Sequence, residues 1–437
     1  MPAALLGYLR SFTGFGRNAR LFLVTTIVYG AGFSLYWADF NLFLESTGIH
    51  PDTIGLLMAV SQLAGVVVAF PFGALSNRIG RRTVMAGGMG LVAVALFAAL
   101  PGNLPLLFLS VAALGAGSQA VAVVQIPYIA EQTSAEQRNA YFSIWSAINN
   151  ATYLLATLAG GFAATAVAGA VGLGAGSGPY RVLLIGTAIL AGLAVLSIGL
   201  LSSDRPDPDE RADRSLGDRF GIVVSDWGLF VRLLLPGFIT SIGAGQLIPF
   251  LNIFIQGKFN LGLTEINAVQ ALGSLGTTLA ILAQPWLAGR FGRIRSIVVV
   301  QGASIPFLLV LGFSPYLWSV VLAYTVRNSL MNAGSPLFDA FAMEKVPPAE
   351  RATLSAAMTL CWSLGWTIGP LYYSALQQNL GFTGGYAVDF ITIIGLYVVA
   401  TALLWTWFHA EDRHATASAE ETALGTALAE GTALEHV

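Results

Sequence analysis

The chain has 437 residues, of which 55% are hydrophobic and 10% charged, with a mean hydropathy of +0.71 and a net charge of −2. Soluble domains carry roughly 25% charged residues, so this composition excludes a chain folded wholly in water. Its single cysteine, Cys361, excludes an internal disulfide.

Residues 1–19 read as an amphipathic lead-in with basic residues among Leu5, Leu6, Tyr8, Leu9, Phe12 and Phe15; an interfacial helix and a frayed terminus fit it equally. A hydrocarbon core needs roughly 20 apolar residues per helix. Twelve segments qualify, at 20–46, 52–76, 83–101, 105–130, 140–168, 180–202, 226–256, 264–289, 295–313, 315–343, 352–378 and 386–408. The expectation is an all-α membrane protein of twelve transmembrane helices in two six-helix bundles, 20–202 and 226–409. A polar stretch at 203–225 joins them, and an Ala-, Thr- and Glu-rich tail at 410–437 has no large apolar face and is expected to lack fixed structure.

The first span carries Asp39 within Tyr36-Trp37-Ala38-Asp39-Phe40-Asn41. Burial disfavours the charged form of a carboxyl, which suits a site that takes up and releases a proton. A static pair with Arg327 and an exposed acid at the outer rim are the competing readings. Arg327 falls near the middle of the tenth span, with Asn328 beside it and Asn332 about a turn further on. A charge at that depth costs about 2.5–3.5 kcal/mol and is paired or faces a wet cavity. The bland alternative is a structural arginine pinned to backbone carbonyls or a helix end. Asp339, deeper in the same span, is a second protonatable candidate, whereas Asp389 near the start of the twelfth span reads as interfacial. Trp37, Asn41, Gln119, Gln246, Asn252, Trp362 and Trp366 complete the candidate substrate contacts with Arg327, Asn328 and Asn332, although each alone is more often helix-packing glue.

With the N-terminus inside, all but Arg181, Lys258 and Arg327 of the 21 Lys and Arg fall on the cytoplasmic side, so both termini are expected there. The charged pieces also repeat. Leu75-Ser76-Asn77-Arg78-Ile79-Gly80-Arg81 returns 212 residues later as Leu287-Ala288-Gly289-Arg290-Phe291-Gly292-Arg293, and Glu131 with Arg138 returns 213 residues later as Glu344 with Arg351. Repeated halves in a many-spanning chain point to a two-bundle transporter. The sequence has no phosphate loop ending in Gly-Lys-Ser or Gly-Lys-Thr, so an ion gradient or the substrate's own gradient must supply the energy.

These motifs carry a resemblance. Gly73-Ala74-Leu75-Ser76-Asn77-Arg78-Ile79-Gly80-Arg81-Arg82 resembles the signature loop of the major facilitator superfamily, with a weaker copy at Gly289–Arg295; the Glu-x6-Arg pairs resemble the family's motif after spans four and ten. The resemblance spans about residues 20–408. It implies that spans one, four, seven and ten line a central cavity about which two bundles rock. It also implies a cytoplasmic gate built from Gly73, Asn77, Arg78, Gly80, Arg81, Arg82, Glu131, Arg138, Arg290, Arg293, Glu344 and Arg351, although positive-inside anchoring would place the same arginines. Where the family has Asp, this chain has Asn77, which brings no negative charge to a facing helix dipole. An acid in the first span also resembles what proton-coupled drug exporters of the family carry.

The expected activity is proton-coupled export of small amphipathic organic molecules across the cell's inner membrane, by a monomer without cofactor, metal or nucleic-acid partner. Uptake of a sugar or organic anion is the alternative, and a membrane receptor or embedded enzyme is the reading from another class.

Overall fold

The computed structural model describes residues 15–174, 176–202, 224–291, 293–347 and 350–434, with side chains described except at 135–136, 139–140, 143, 281–291, 293, 333–337, 340, 352 and 410–434. The described chain is helical throughout, without a strand. The helices are α1 (Arg17–Ser46), α2 (Pro51–Ile79), α3 (Arg81–Ala99), α4 (Leu104–Gln132), α5 (Ala135–Ala170), α6 (Gly178–Gly199) and α7 (Trp227–Leu247). A 3-10 turn, Ile248–Phe250, leads into α8 (Leu251–Phe259), followed by α9 (Leu263–Phe291), α10 (Arg293–Phe313), α11 (Leu317–Lys345) and α12 (Arg351–Leu434).

Local chemistry sets the boundaries. The Asn103 side chain accepts from the Leu106 N–H and the Ser134 hydroxyl from the Gln137 N–H, capping the free donors that open α4 and α5. Gly80, at φ 93, ends α2 and starts α3; a side chain at that angle would be strained, so the motif glycine is required by the turn itself. Gly381, at φ 66, breaks the otherwise continuous α12. The backbone stays helical to Leu434, a stretch for which the composition predicts no fixed structure. The expected linker falls almost wholly outside the described residues, as does most of the lead-in.

Among the described residues nine stretches are long and apolar enough to cross a membrane, one of them the kinked 57-residue Thr353–His409. Val67, Val94, Leu109 and Leu196 on these helices are 65–67% exposed, an apolar coat that water would not tolerate and hydrocarbon does.

The chain divides into two compact units that do not follow the sequence halves. Unit 1 holds Met1–Gly221, Ala244–Leu275 and Ser363–Asp389; unit 2 holds Ile222–Gly243, Gly276–Trp362 and Phe390–Val437. The physical reason is that stretches of α7, α8, α9 and α12 interlock with the first six helices and with one another. A methyl on Gly55 would meet the Pro370 carbonyl, and one on Gly369 the backbone of Gly245 and Gln246. Unit 1 is cored by Phe22, Met85, Val124, Tyr128, Tyr141 and Ile198, and the Tyr141 hydroxyl ties α5 to α1 by donating to the Ala19 carbonyl at 2.8 Å. Unit 2 is cored by Phe230, Leu233, Ile297, Phe341, Leu404 and Phe408.

Close crossings depend on small residues, because lipid gives no hydrophobic drive between helices. On α3, a methyl added to Gly88 would lie 2.7 Å from the Gly117 carbonyl of α4, whereas one on neighbouring Gly87 meets nothing within 4 Å. Gly88→Ala is expected to lower stability by about 1–3 kcal/mol through overpacking. Gly87→Ala should leave it unchanged or raise it by up to about 1 kcal/mol. Thermal melting in detergent separates them, and equal midpoints would refute the packing argument.

Candidate functional site

Asp39 is wholly buried on α1, in unit 1. Its Oδ2 accepts from Asn267 Nδ2 of α9 at 3.2 Å, and its Oδ1 has no hydrogen-bond partner. The Asn267 carbonyl oxygen accepts from Gln270 Nε2 at 3.3 Å, which also reaches the Ala38 carbonyl at 3.4 Å. The same carbonyl accepts from Asn252 Nδ2 at 2.5 Å. Asn252 and Asn41 exchange reciprocal hydrogen bonds of 2.7 Å, and Asn41 Nδ2 also donates to the Pro249 carbonyl. The acid thus sits in a buried ladder of amides, with no ion pair to it among the described residues.

Two candidate substrate contacts, Asn41 and Asn252, are engaged with one another in this conformation. The arrangement had a legible trace that the sequence reading passed over. Asn41-Leu42-Phe43-Leu44-Glu45 corresponds to Asn252-Ile253-Phe254-Ile255-Gln256, 211 residues on, nearly the spacing of the repeated loops.

Deeper in unit 1, α1, α3, α4 and α5 enclose a recess lined by Thr25, Tyr29, Phe33, Gln125, Trp145 and Asn149, among others. Tyr29 and Phe33 stack at 5.9 Å, Phe33 and Trp37 at 6.4 Å, and Trp37 meets Trp366 at 5.6 Å. One aromatic residue per turn of α1 therefore runs from the recess toward Asp39's neighbours. Tyr29 and Phe33 escaped the sequence reading, although the step of four along Tyr29, Phe33 and Trp37 was visible. A second, smaller pocket at the Asp39 level is lined by Trp37, Asn41, Met58, Gln62, Pro249 and Trp366, among others. Gln119 lies beside Gly65 at the α2–α4 crossing, and Gln246 is buried with its carbonyl oxygen unpartnered.

In unit 2, Arg327 is 1% exposed. Its Nη2 donates to the Tyr397 hydroxyl at 2.9 Å, its guanidinium carbon lies 5.8 Å from that ring's centre, and its Nε has no partner. Gly243 makes room for the Tyr397 ring, 2.8 Å from where a methyl would sit. Asn328 donates to Thr277 at 2.9 Å and Asn332 to the Asn328 carbonyl at 2.8 Å. Trp362 and Asp339 are exposed on their helices.

Asp389 corrects an expectation. It is not interfacial but fully buried, with neither carboxyl oxygen hydrogen-bonded. It lies eight residues past the Gly381 break, about 12 Å along the helix at 1.5 Å per residue, so the turn is further away than the apolar pattern implies.

At the end marked by Gly80, Arg81 grips Glu131 with two contacts, Nη2–Oε1 at 2.6 Å and Nε–Oε2 at 2.8 Å. Arg82 donates to the Ile198 and Gly199 carbonyls, closing the C-terminus of α6, and Arg138 donates to the Ala130 carbonyl at the end of α4. Gly73 packs on Val123, Asn77 is half-buried, and Arg78, Glu344 and Arg351 are exposed. The side chains of Arg290 and Arg293 lie outside the described residues.

The family model described as Major Facilitator Superfamily matches residues 22–370 and 233–436. The chain is 27% identical to the class C tetracycline resistance protein of Escherichia coli over 372 residues, 82% of this chain and 88% of that protein. It is 27% identical to the D-xylose transporter of Levilactobacillus brevis over 174 residues, 39% of this chain and 35% of that protein. The crystal structure of the D323A mutant of the nucleoside transporter NupG superposes with a TM-score of 0.73 at 16% identity, covering 89% of this chain and all of that one.

Proposed function

The chain belongs to the major facilitator superfamily, and we propose that within it the protein exports small amphipathic organic molecules in exchange for protons, by alternating access. The family makes it a multi-pass membrane transporter and not an enzyme. The observation that carries the finer reading is Asp39: a wholly buried carboxyl whose Oδ1 has no hydrogen-bond partner, with no ion pair among the described residues. Burying a lone charge is costly, whereas a carboxyl that takes up and releases a proton need not carry one. The nearby recess supports an amphipathic cargo, since Tyr29, Phe33 and Trp145 offer apolar faces and Gln125 and Asn149 offer hydrogen bonds. The likeness to a tetracycline resistance protein points the same way.

In this reading the chain crosses the cell's inner membrane twelve times as a monomer, in two six-helix bundles at 20–202 and 226–409, with Gly381 separating the last two crossings and both termini inside. The Thr47–His50 end of unit 1 faces outward, and the arginine-rich end bearing Arg81, Arg82 and Arg138 faces the cytoplasm. The Arg81–Glu131 pair and Arg78 of unit 1 belong to the inner gate, as do the exposed Glu344 and Arg351 of unit 2. Asp39 carries the proton, Asp339 is a second protonatable site, and Arg327 organises polar groups in unit 2. Uptake of a polar solute such as a sugar is the second reading, favoured by Gln125 and Asn149 and by the partial likeness to a D-xylose transporter.

Inverted membrane vesicles containing the protein are expected to accumulate ethidium when their lumen is acid, and to lose it on addition of an uncoupler. Proton-driven xylose movement without ethidium transport would install the second reading instead.

A further inference from the structure

We propose that Asn267 is the residue through which the proton on Asp39 holds the Thr47–His50 end of unit 1 shut. The proposal rests on the reading of Asp39 as the proton carrier and deepens it.

Asn267 is 0% exposed and gives Asp39 its one hydrogen bond among the described residues. Its orientation is fixed from behind, because its carbonyl oxygen accepts from Gln270 and so turns the N–H side toward the acid. It is also wedged against α5. A methyl on Gly161 would lie 2.9 Å from Asn267 Nδ2, and Thr264, one turn away on α9, donates to the Gly161 carbonyl at 3.3 Å while meeting Thr165 at 3.2 Å. One amide therefore touches α1 and α5 from α9, at the end where α9 joins unit 1.

The chemistry around the pair makes the contact sensitive to the proton. Tyr180 of α6 interacts electrostatically with Asp39 and in turn with Glu45 of α1 and Glu265 of α9, none of them a cation; Tyr180 accepts from Gln256 at 2.5 Å. From α5 the pair meets Gly161, one turn from Thr157 on the same helix. An ionised carboxylate buried against one neutral amide lacks the donors it needs. The protonated acid keeps Asn267 on its carbonyl oxygen and carries no charge. Loss of the proton calls for water at Asp39, and water enters only if α9 parts from α1 and α5. Asn267 is thus a positioning residue: it converts the proton state of α1 into the position of α9. A proton arriving from outside would close the end it entered by, which is the order an exchanger needs.

Thr157, one turn from Gly161 on α5, is 0% exposed with an unpartnered hydroxyl, so a thiol there reports opening with little disturbance. The test uses the full-length Thr157→Cys protein with Cys361→Ser, labelled on whole cells by a membrane-impermeant thiol reagent at pH 6 and pH 8. Rates are divided by those of the unfolded protein at each pH, which removes the thiol's own titration. The parent should label more slowly at pH 6. Asn267→Ala should raise the pH 6 rate about tenfold, the effect of losing one buried hydrogen bond, and leave the pH 8 rate unchanged. Gly161→Ala, which displaces the amide without removing it, should do the same and serves if Asn267→Ala does not fold. A rise at both pH values would mark Asn267 as a mere spacer and overturn the proposal. So would a parental pH ratio in Asn267→Ala or Gly161→Ala while Asp39→Asn labels slowly at both. If Asp39→Asn itself keeps the parental ratio, Asp39 is not the proton carrier, and the reading beneath the proposal fails.

Discussion

Asp39→Asn is expected to abolish concentrative transport while leaving the protein folded. Asparagine has the shape of the acid and can accept the same hydrogen bond from Asn267. Asp39 makes no ion pair among the described residues, so the substitution breaks none and should change stability by no more than about 1 kcal/mol. What disappears is the titrating group. Accumulation of ethidium in acid-loaded inverted vesicles should fall to that of protein-free vesicles, and its dependence on pH between 5.5 and 8 on the order of the wild-type swing should vanish. Exchange of labelled for unlabelled substrate at equal concentrations should slow as well, because a neutral side chain that keeps Asn267 engaged holds the Thr47–His50 end shut. A variant that still concentrates substrate against a gradient would remove Asp39 from the coupling role.

Arg327→Ala carries the second large effect, and magnitudes decide what it means. On the proposed reading Arg327 lies near the middle of its span, where an arginine costs about 2.5–3.5 kcal/mol, which the alanine variant regains. Against this stand the small cavity and a Tyr397 hydroxyl deprived of its donor, together about 2–4 kcal/mol. These terms nearly cancel, so the melting midpoint should move by only a few degrees. On the proposed reading its unpartnered Nε and remaining donors are what a substrate would meet. Transport should fall at least about tenfold, with anionic substrates hit harder than neutral ones, because a charged group loses more than a neutral one. Arg327→Lys should recover part of the anion transport, and Tyr397→Phe most of the activity. Severe loss of melting temperature with unchanged transport per folded molecule would return Arg327 to a structural role.

The helical, membrane-crossing character was legible because hydrocarbon length and apolar runs are one-dimensional properties. So were the repeats, since their charged residues stand out against apolar surroundings. Gly80 was legible as part of a motif, and its positive φ gives the physical reason. Partner choice was less legible. The matching stretches that begin at Asn41 and Asn252 hint at related places, but an asparagine on a buried helix face reads the same whether it meets a cavity or its counterpart. The same holds for Arg82 and Arg138, whose donation to the carbonyls that end α6 and α4 no sequence pattern names. Asp389 was misjudged because its depth depends on where the turn at Gly381 falls, and a single glycine among apolar residues hides that point. Tyr29 and Phe33 were overlooked because an aromatic stripe is the common furniture of a buried helix until a recess is seen beside it.

The amide pair of Asn41 and Asn252 bears on how such a chain came to exist. The two residues occupy matching places in the two copies of the repeat, so the contact is a position touching its own duplicate. In an ancestor made of two identical single-copy chains, this would have been one asparagine meeting itself across a two-fold axis. Fusion frees the copies to drift apart, yet a lone change at either place strands the other's amide. The effects of substitutions at the two positions are therefore coupled, and a paired change should cost less than the sum of the two single ones.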